Sequence, residues 1–226
     1  MSNKANIGTF DDFIKKYPQM AELDPMNKID FSLEDINQND FLVLNKYFSD
    51  ICTDLTIYMQ LFSEEESINQ LNEFNSFIFG YIERAYLERI CLKVSTLMDP
   101  PGKKDNENLS LQRFIKQTDS KILQNIFDEL KTFYINSGIK GWRDKVLAHA
   151  DLKAISGERE IQINFDRKEV DDFVAEIQTF IDLINDPKTS TDHKVVLPRE
   201  QDGYRFIQKI QEHNKSNHNR SFNADT

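Results

Sequence analysis

The sequence predicts an all-α protein, a helical bundle built around long helices. Glycine and proline, which interrupt helices, account for only 7 and 6 of the 226 residues. Residues that favour helices, above all leucine, glutamate, lysine and glutamine, are plentiful. Apolar residues recur at the spacing of one helix face over stretches that are too long for strands. The 17 Phe and 7 Tyr supply enough apolar volume for a core.

The two longest helices are predicted in the first half of the chain. Residues 34–62 carry apolar side chains at helical spacing, namely Phe41, Leu44, Phe48, Ile51, Leu55, Tyr58, Met59 and Phe62. Ser63 and Glu66 match the capping-box pattern, so a second helix is predicted to begin there. It runs to about Leu97, because the Asp99-Pro100-Pro101-Gly102 stretch cannot continue a helix.

Shorter elements are predicted in the second half. A polar loop at 103–108 precedes a short helix, Leu111 to Lys116. A further helix is capped by Asp119 or Ser120 and ends at the Asn136-Ser137-Gly138 stretch. A helix at 140–150 follows, and alternating apolar residues then predict one small β-hairpin between 152–155 and 160–165. Asp166 and Glu169 repeat the capping-box pattern and begin a helix that reaches about Ile184.

These elements predict one helical domain at residues 33–186 with an extension on each side. Residues 1–32 form an N-terminal extension with one short amphipathic helix, Phe10 to Ala21. Residues 187–226 form a C-terminal extension with a helix at about 199–212 and an Asn-, His- and Ser-rich tail. We expect this tail to be disordered, because it has too few apolar residues to pack.

Composition limits where the protein acts and what it binds. No apolar run approaches the roughly 18 residues needed to cross a bilayer, and the first residues lack the apolar core of a signal peptide. We therefore expect a cytoplasmic protein with no membrane partner. Cys52 and Cys91 lie in apolar helical surroundings without CxxC spacing, so we expect two buried thiols.

The net charge of −10 argues against broad nucleic-acid binding, because phosphate contacts depend on Lys and Arg. Residues 138–153 reverse this sign locally, with Lys140, Arg143, Lys145 and Lys153 against Asp144 and Asp151. Both a local basic cleft and an ordinary solvated helix face fit this pattern.

The most informative pair in that stretch is Arg143 and His149, which lie six positions apart. Cleavage of RNA through its own 2′-hydroxyl needs a base, an acid and positive charge on the phosphorane. Histidine can serve as base or acid near pH 7, and arginine offers planar donors to phosphate oxygens. On a regular helix six residues place the two side chains about 120° apart. They converge only if Arg143 lies at the helix start or reaches across.

Other interpretations of these residues remain open. His149 could instead be a helix histidine bonded to a local partner such as Asp151. Asp144 could orient Arg143 or simply complement the helix dipole. Trp142 could stack on a base or belong to the core. The remaining histidines, His193, His213 and His218, have no metal-site spacing, and no phosphate loop or cofactor motif is present, so neither metal nor cofactor is predicted.

The residues from Arg143 to Asp151 resemble the signature of HEPN domains, which is an arginine, a polar residue, and a histidine after four to six intervening residues. Five intervene here, and the lysine, Ala-His and final aspartate are similar to the abortive-infection U2-type branch. Leu87 to Asp99 is similar to the long helix of that branch, which ends in Leu-x-Asp. Asn108 to Leu111 resembles the start of its next short helix, so the likeness covers about residues 40–185.

The resemblance implies a HEPN-like helical bundle that dimerises. Active members of this clan are metal-independent ribonucleases with a composite site at the dimer interface, and many act in phage defence or as toxins of toxin–antitoxin pairs. By position, Arg143 and His149 become the catalytic pair and Asp144 its polar partner, where the family more commonly has asparagine. Lys140, Lys145 and Trp142 are then expected to bind substrate.

Two hypotheses follow. The first is an endoribonuclease that acts on RNA as a homodimer and leaves 2′,3′-cyclic phosphate ends, with an antitoxin or another protein as a further partner. The alternative is a non-catalytic HEPN-like module that binds a protein or a nucleotide, in which Arg143 and His149 have structural roles.

Overall fold

A computed structural model describes residues 31–103, 106–148, 156, 158, 162–163, 166–185 and 202–222, and this part of the chain is almost entirely helical. The prediction of an all-α bundle is thereby confirmed. A short 3₁₀ turn at Leu33–Asp35 leads into helix α1, Gln38–Phe62. The Asn37 side chain caps α1 by accepting from the backbone N–H groups of Asn39 and Asp40.

Helix α2, Glu65–Met98, follows α1 directly and packs along it. The predicted capping box at its start is wrong, because the Ser63 hydroxyl turns back to the Met59 carbonyl and no side chain caps α2. The helix is also interrupted at Asn75, whose backbone is extended. The Asn75 side chain accepts from the backbone N–H of Ile78 at 3.0 Å and so caps a fresh start of the helix.

The remaining elements are short until the last two helices. Strands β1, Gly102–Lys103, and β2, Asn106–Glu107, form a two-residue antiparallel ladder where the sequence predicted only a loop. Helices α3, α4 and α5 follow at Leu111–Thr118, Lys121–Asn136 and Ile139–Trp142, and a π-helical turn continues α5 at Arg143–Leu147. Helices α6 and α7 span Arg167–Ile184 and Asp202–Phe222.

The start of α6 agrees with the sequence prediction, whereas the end of α7 does not. The capping box at the start of α6 is confirmed, since Asp166 and Glu169 each accept a hydrogen bond from the other's backbone N–H. The predicted end of the last helix at Glu212 is wrong, because α7 extends to Phe222. The predicted helix at Phe10 to Ala21, most of the predicted hairpin and residues 223–226 lie outside the described residues.

A main core joins α1, the second half of α2, and α3 to α6. Its largest fully buried side chains are Phe48, Phe114, Phe127 and Phe180. A second, smaller cluster joins the end of α1 and the first part of α2 to α7, through Leu61, Phe62, Leu71, Phe79, Ile207 and Ile210. The extension of α7 beyond Glu212 follows from this packing, since Asn214 is buried and its side chain donates to the Gln70 carbonyl.

Both cysteines are buried in the main core, as predicted. Burial raises the pKa of each thiol, Cys52 and Cys91, to about 12. Within the described residues, none of the helices combines the length and the apolar character that a bilayer crossing requires.

Candidate functional site

The site forms where the end of α2 meets the start of the π-helical turn. The backbone N–H of Asp99 donates to the Ser95 carbonyl at 2.9 Å and closes the last turn of α2. Pro100 and Pro101 follow, and proline cannot continue a helix. The Asp99 carboxylate is therefore fixed at the end of a long helix and points toward the turn that carries Arg143.

Gly138 sets the direction in which the chain enters α5. Its φ of +79° lies in the left-handed region, which favours glycine. A Cβ at this position would lie 2.0 Å from the carbonyl oxygen of Gln162, so a side chain has no space either. The glycine thus lets α4 end and α5 begin within two residues. It also lets this junction of α4, α5 and the π-helical turn, here called the corner, lie against Gln162.

The predicted helix at 140–150 is only partly a regular α-helix. Its α-helical part ends at Trp142, and the Ala148 N–H then donates to the Arg143 carbonyl at 2.9 Å, five residues back. Such π-helical turns accommodate an extra residue and are frequent at functional sites. Arg143 therefore begins the π-helical turn but not the helix, which starts four residues earlier at Ile139. Convergence of Arg143 with His149 stays a prediction. His149 and Asp151 lie outside the described residues.

Arg143 is held by two carboxylates from different parts of the chain. Its Nη2 donates to both oxygens of Asp99, at 3.2 and 3.0 Å, and its Nη1 donates to Oδ1 of Asp144 at 2.9 Å. About a third of the Arg143 side chain, 34%, remains exposed. The hydrogen bond to Asp144, and after it the negative charge of Asp99, raise the pKa of the guanidinium above its ordinary value, so the charge is permanent. The arginine is thus oriented and still reachable from solvent.

Asp144 bridges two cations. Its Oδ2 accepts from the Lys140 ammonium, one helical turn earlier, while its Oδ1 accepts from Arg143. These two hydrogen bonds, that of Lys140 first, lower the pKa of the Asp144 carboxyl below its ordinary value. The same contact raises the pKa of Lys140. The predicted basic stretch is therefore locally neutral here, since Lys140 and Arg143 face Asp99 and Asp144.

Tyr134 and Ser95 form a hydrogen-bonded pair close to Arg143 and Asp99. The buried Tyr134 hydroxyl donates to the Ser95 hydroxyl at 3.0 Å. Burial raises the pKa of Tyr134, and the charge of Arg143 partly opposes that rise. Sequence reasoning did not place Tyr134 or Asp99 in the site. A signal existed for Asp99, the Leu-x-Asp end of the long helix, but it served only as part of the family resemblance and as a helix end.

The other two predicted substrate-binding residues, Lys145 and Trp142, differ in their exposure to solvent. Lys145 is exposed on the π-helical turn. Trp142 is partly buried and packs against the main core, and its indole N–H is enclosed with no hydrogen-bond partner among the residues that the structure describes. The core interpretation of Trp142 therefore has direct packing support, and contact of either residue with substrate stays a prediction.

A second group of charges lies between α1 and α2. Asp54, which is buried, accepts from Arg89 Nε at 2.6 Å and lies 2.8 Å from the Lys93 ammonium. These charges pair with one another across two helices, so we assign them to helix packing. Among the residues that the structure describes, no three His, Cys, Asp or Glu side chains are grouped to hold a metal ion.

A protein-family model matches most of the chain. Residues 39–207 match the model of the HEPN_AbiU2 family, described as AbiU2. This range covers most of the chain and includes Asp99 and the motif from Arg143 to His149. The chain therefore belongs to the AbiU2 family of HEPN proteins, and the resemblance stated from the motif is confirmed. No curated protein and no solved structure matches the chain.

Proposed function

We propose that this protein is a metal-independent endoribonuclease of HEPN type that acts in phage defence or as a toxin. The observation that carries the proposal is the state of Arg143. It is a permanent cation at the start of the family motif, partly exposed and oriented by two carboxylates. An arginine placed in this way offers charge and planar donors to a phosphorane. Membership of the AbiU2 family supports the same reaction class.

In the proposed reaction the 2′-hydroxyl of RNA attacks the adjacent phosphate. A neutral His149 accepts the 2′-hydroxyl proton, and a protonated His149 gives a proton to the departing 5′-oxygen. Each of these proton transfers is worth roughly 10²–10⁴-fold in rate. Arg143 stabilises the charge that develops on the phosphorane. The products are a 2′,3′-cyclic phosphate and a 5′-hydroxyl.

The reaction needs two histidines, whereas the motif of one chain has one. A two-fold homodimer supplies His149 twice, once as base and once as acid. The two most exposed aromatic residues of α2, Phe77 and Tyr81, are unsuited to forming this dimer by themselves. Phe77 lies 22 residues before Asp99, which is about 33 Å along a helix. We therefore place the dimer face at the Arg143 end of α2.

RNA binding would depend on local charge, since the chain carries a net charge of −10. Lys140 and the exposed Lys145 lie on either side of Arg143 in sequence and provide the nearest cations. Contacts of this kind make binding weaken as salt concentration rises. We expect a substrate that is single-stranded or looped, because a small cleft between two helical protomers admits bases that are not paired.

Cleavage of a mixed RNA pool in EDTA tests the proposal, with wild type compared to His149→Ala. Wild type should release cyclic-phosphate ends, and the variant should lose them. His213→Ala is the matched control, because His213 lies on α7, where its ring contacts Phe74. It should cleave like wild type. Cleavage that EDTA abolishes, or that survives in His149→Ala, would contradict the mechanism.

A second function is favoured by the same ion pairs. Two carboxylates already neutralise Arg143, which fits a structural arginine in a non-catalytic module that binds a protein or a nucleotide. In that case well-folded wild type cleaves no RNA, and Arg143→Ala lowers stability without changing any nuclease activity. A thermal unfolding comparison of wild type and Arg143→Ala, run beside the cleavage assay, separates the two functions.

A further inference from the structure

We propose that Asp144 is an internal plug: its carboxylate occupies a phosphate-binding position formed by Lys140 and Arg143, and a phosphate group must displace it to bind. The identification of that phosphate with RNA rests on the proposed function. The existence of the anion position does not, because it follows from the contacts of three described side chains.

The first step is that one anion already joins the two cations. Asp144 gives one oxygen to Arg143 Nη1, at 2.9 Å, and the other to the Lys140 ammonium. A phosphate group also presents two or more oxygens to such donors, and arginine binds both anions in the same planar manner. The donors that would hold a phosphate are thus the donors that Asp144 now uses.

The second step is that Arg143 does not depend on Asp144 for its position. Both oxygens of Asp99 bind the other terminal nitrogen, Nη2, at 3.2 and 3.0 Å. Asp99 is fixed at the end of α2 by its own backbone hydrogen bond to Ser95. If Asp144 moves away, Asp99 still holds one edge of the guanidinium, and Nη1 becomes free for a new partner.

The ion pairs that hold Asp144 are weak enough for a phosphate group to displace it. The three side chains are partly exposed, with Asp144 at 26% and Lys140 at 50%, and ion pairs of this kind are individually weak. A phosphate brings more charge and more acceptor oxygens than a carboxylate, and the displaced Asp144 can be solvated. The plug therefore lowers phosphate affinity without closing the site. It favours a polyanion, which makes additional contacts, over a single small anion.

Binding of inorganic phosphate tests the plug directly. Trp142 is the only tryptophan in the chain and lies next to Arg143, so its fluorescence reports on this corner. Wild type, Asp144→Asn and Asp99→Asn are titrated at constant ionic strength, with circular dichroism as a check on folding. Asp99→Asn is the matched control, because each variant removes one negative charge that touches the same guanidinium.

We expect Asp144→Asn to bind phosphate about tenfold more tightly than wild type and Asp99→Asn to gain less than about threefold. In the Asp144→Asn background, Lys140→Gln should reverse most of the gain. Equal gains in the two single variants would mean that general electrostatics explains them, and the plug would then be rejected. An unchanged affinity in Asp144→Asn would reject it as well.

This test is independent of RNA cleavage. If no variant cleaves RNA but Asp144→Asn binds phosphate selectively more tightly, the proposed ribonuclease fails and the plug stands. If wild type cleaves RNA but Asp144→Asn gains no phosphate affinity over Asp99→Asn, the plug fails and the ribonuclease stands.

Discussion

The two ends of α2 are built differently. Its C-terminal end lies in the main core and carries Asp99, which binds Arg143. Its N-terminal part, on both sides of the interruption at Asn75, packs on the end of α1 and on α7 through a cluster of six buried apolar residues. The main core has 27 such residues among those described. The site therefore depends on the large core, whereas α7 depends on a small one.

Polar contacts compensate in part for the small cluster at the α7 end. The Gly203 N–H donates to the buried side chain of Gln60 at 2.8 Å, and Asn214 donates to the Gln70 carbonyl at 3.1 Å. Regions with few buried apolar contacts open at lower free energy than the core. We therefore expect α7 to open at lower free energy than the Arg143 site.

The largest expected effect comes from a core truncation. Phe180→Ala removes a fully buried ring from the main core and should lower the free energy of unfolding by about 3–5 kcal/mol. Ile207→Ala, in the small cluster, should cost about 2 kcal/mol and act mainly on α7. Urea unfolding followed by circular dichroism measures both. Similar costs would show that α7 belongs to the same cooperative unit as the main core.

The next effect concerns the close approach of α7 to α1. A Cβ at Gly203 would lie 2.6 Å from both Cβ and Oε1 of Gln60, so Gly203→Ala should push α7 outward and cost about 1–2 kcal/mol. Gly80→Ala is the control, because Gly80 lies inside α2 and, among the described residues, no atom beyond its own helical backbone lies within 4 Å of the added Cβ. It should stabilise the protein by about 0.5–1 kcal/mol. Hydrogen exchange should show faster opening of α7 in Gly203→Ala alone.

A smaller effect is expected at the Arg143 end and depends on pH. Hydrogen bonds from Lys140 and Arg143 lower the pKa of Asp144 in the folded protein. Its stabilising effect is therefore present above the ordinary aspartate pKa of about 3.9 and is lost as pH falls through the lower folded value. At pH 7, Asp144→Asn should cost less than about 1 kcal/mol, since the ion pairs are partly exposed.

Thermal unfolding of wild type and Asp144→Asn between pH 7 and pH 2.5, in a buffer without phosphate, tests this dependence. The difference between the two proteins should shrink as the solution becomes acidic and also at high salt, which screens exposed charges. A difference that stays constant with pH would mean that the Asp144 charge does not stabilise the fold.

The smallest expected effect is on the rate of cysteine labelling, which should be unchanged in Gly203→Ala. Burial raises the pKa of Cys52 and Cys91 to about 12, and only the thiolate reacts rapidly with thiol reagents. Labelling at pH 8 should therefore proceed through opening of the main core. Phe180→Ala should accelerate it strongly, and Gly203→Ala should leave it at the wild-type rate. Faster labelling in Gly203→Ala would couple the two ends of α2 more closely than the packing indicates.

The helices were predictable because each buries one face against the core. The apolar residues Phe41, Leu44 and Phe48 recur at helical spacing in α1 because all three are buried on the same face. The capping box at Asp166 was predictable because both partners are close in sequence. The arginine of the site was predictable from the motif, and family membership from the agreement of three separate segments.

Features that depend on a distant partner, or on which of two local partners a side chain takes, could not be predicted from the sequence. Ser63 had the pattern of a cap, but its hydroxyl is satisfied by the preceding helix. The continuation of α7 beyond Glu212 depends on Asn214 reaching Gln70, 144 residues earlier. The pairing of Arg143 with Asp99 spans 44 residues, and a contact of that separation has no periodic signal. The interruption at Asn75 replaces a backbone hydrogen bond by a side-chain one without changing the apolar pattern.

The π-helical turn at Arg143–Leu147 makes the corner sensitive to chain length as well as to residue identity. A turn of this kind contains one residue more than an α-helical turn needs. Loss of a single residue would convert it into an ordinary α-helical turn and change which of its residues faces Asp99. Inherited variation at this corner should therefore tolerate conservative exchanges of residues better than insertions or deletions.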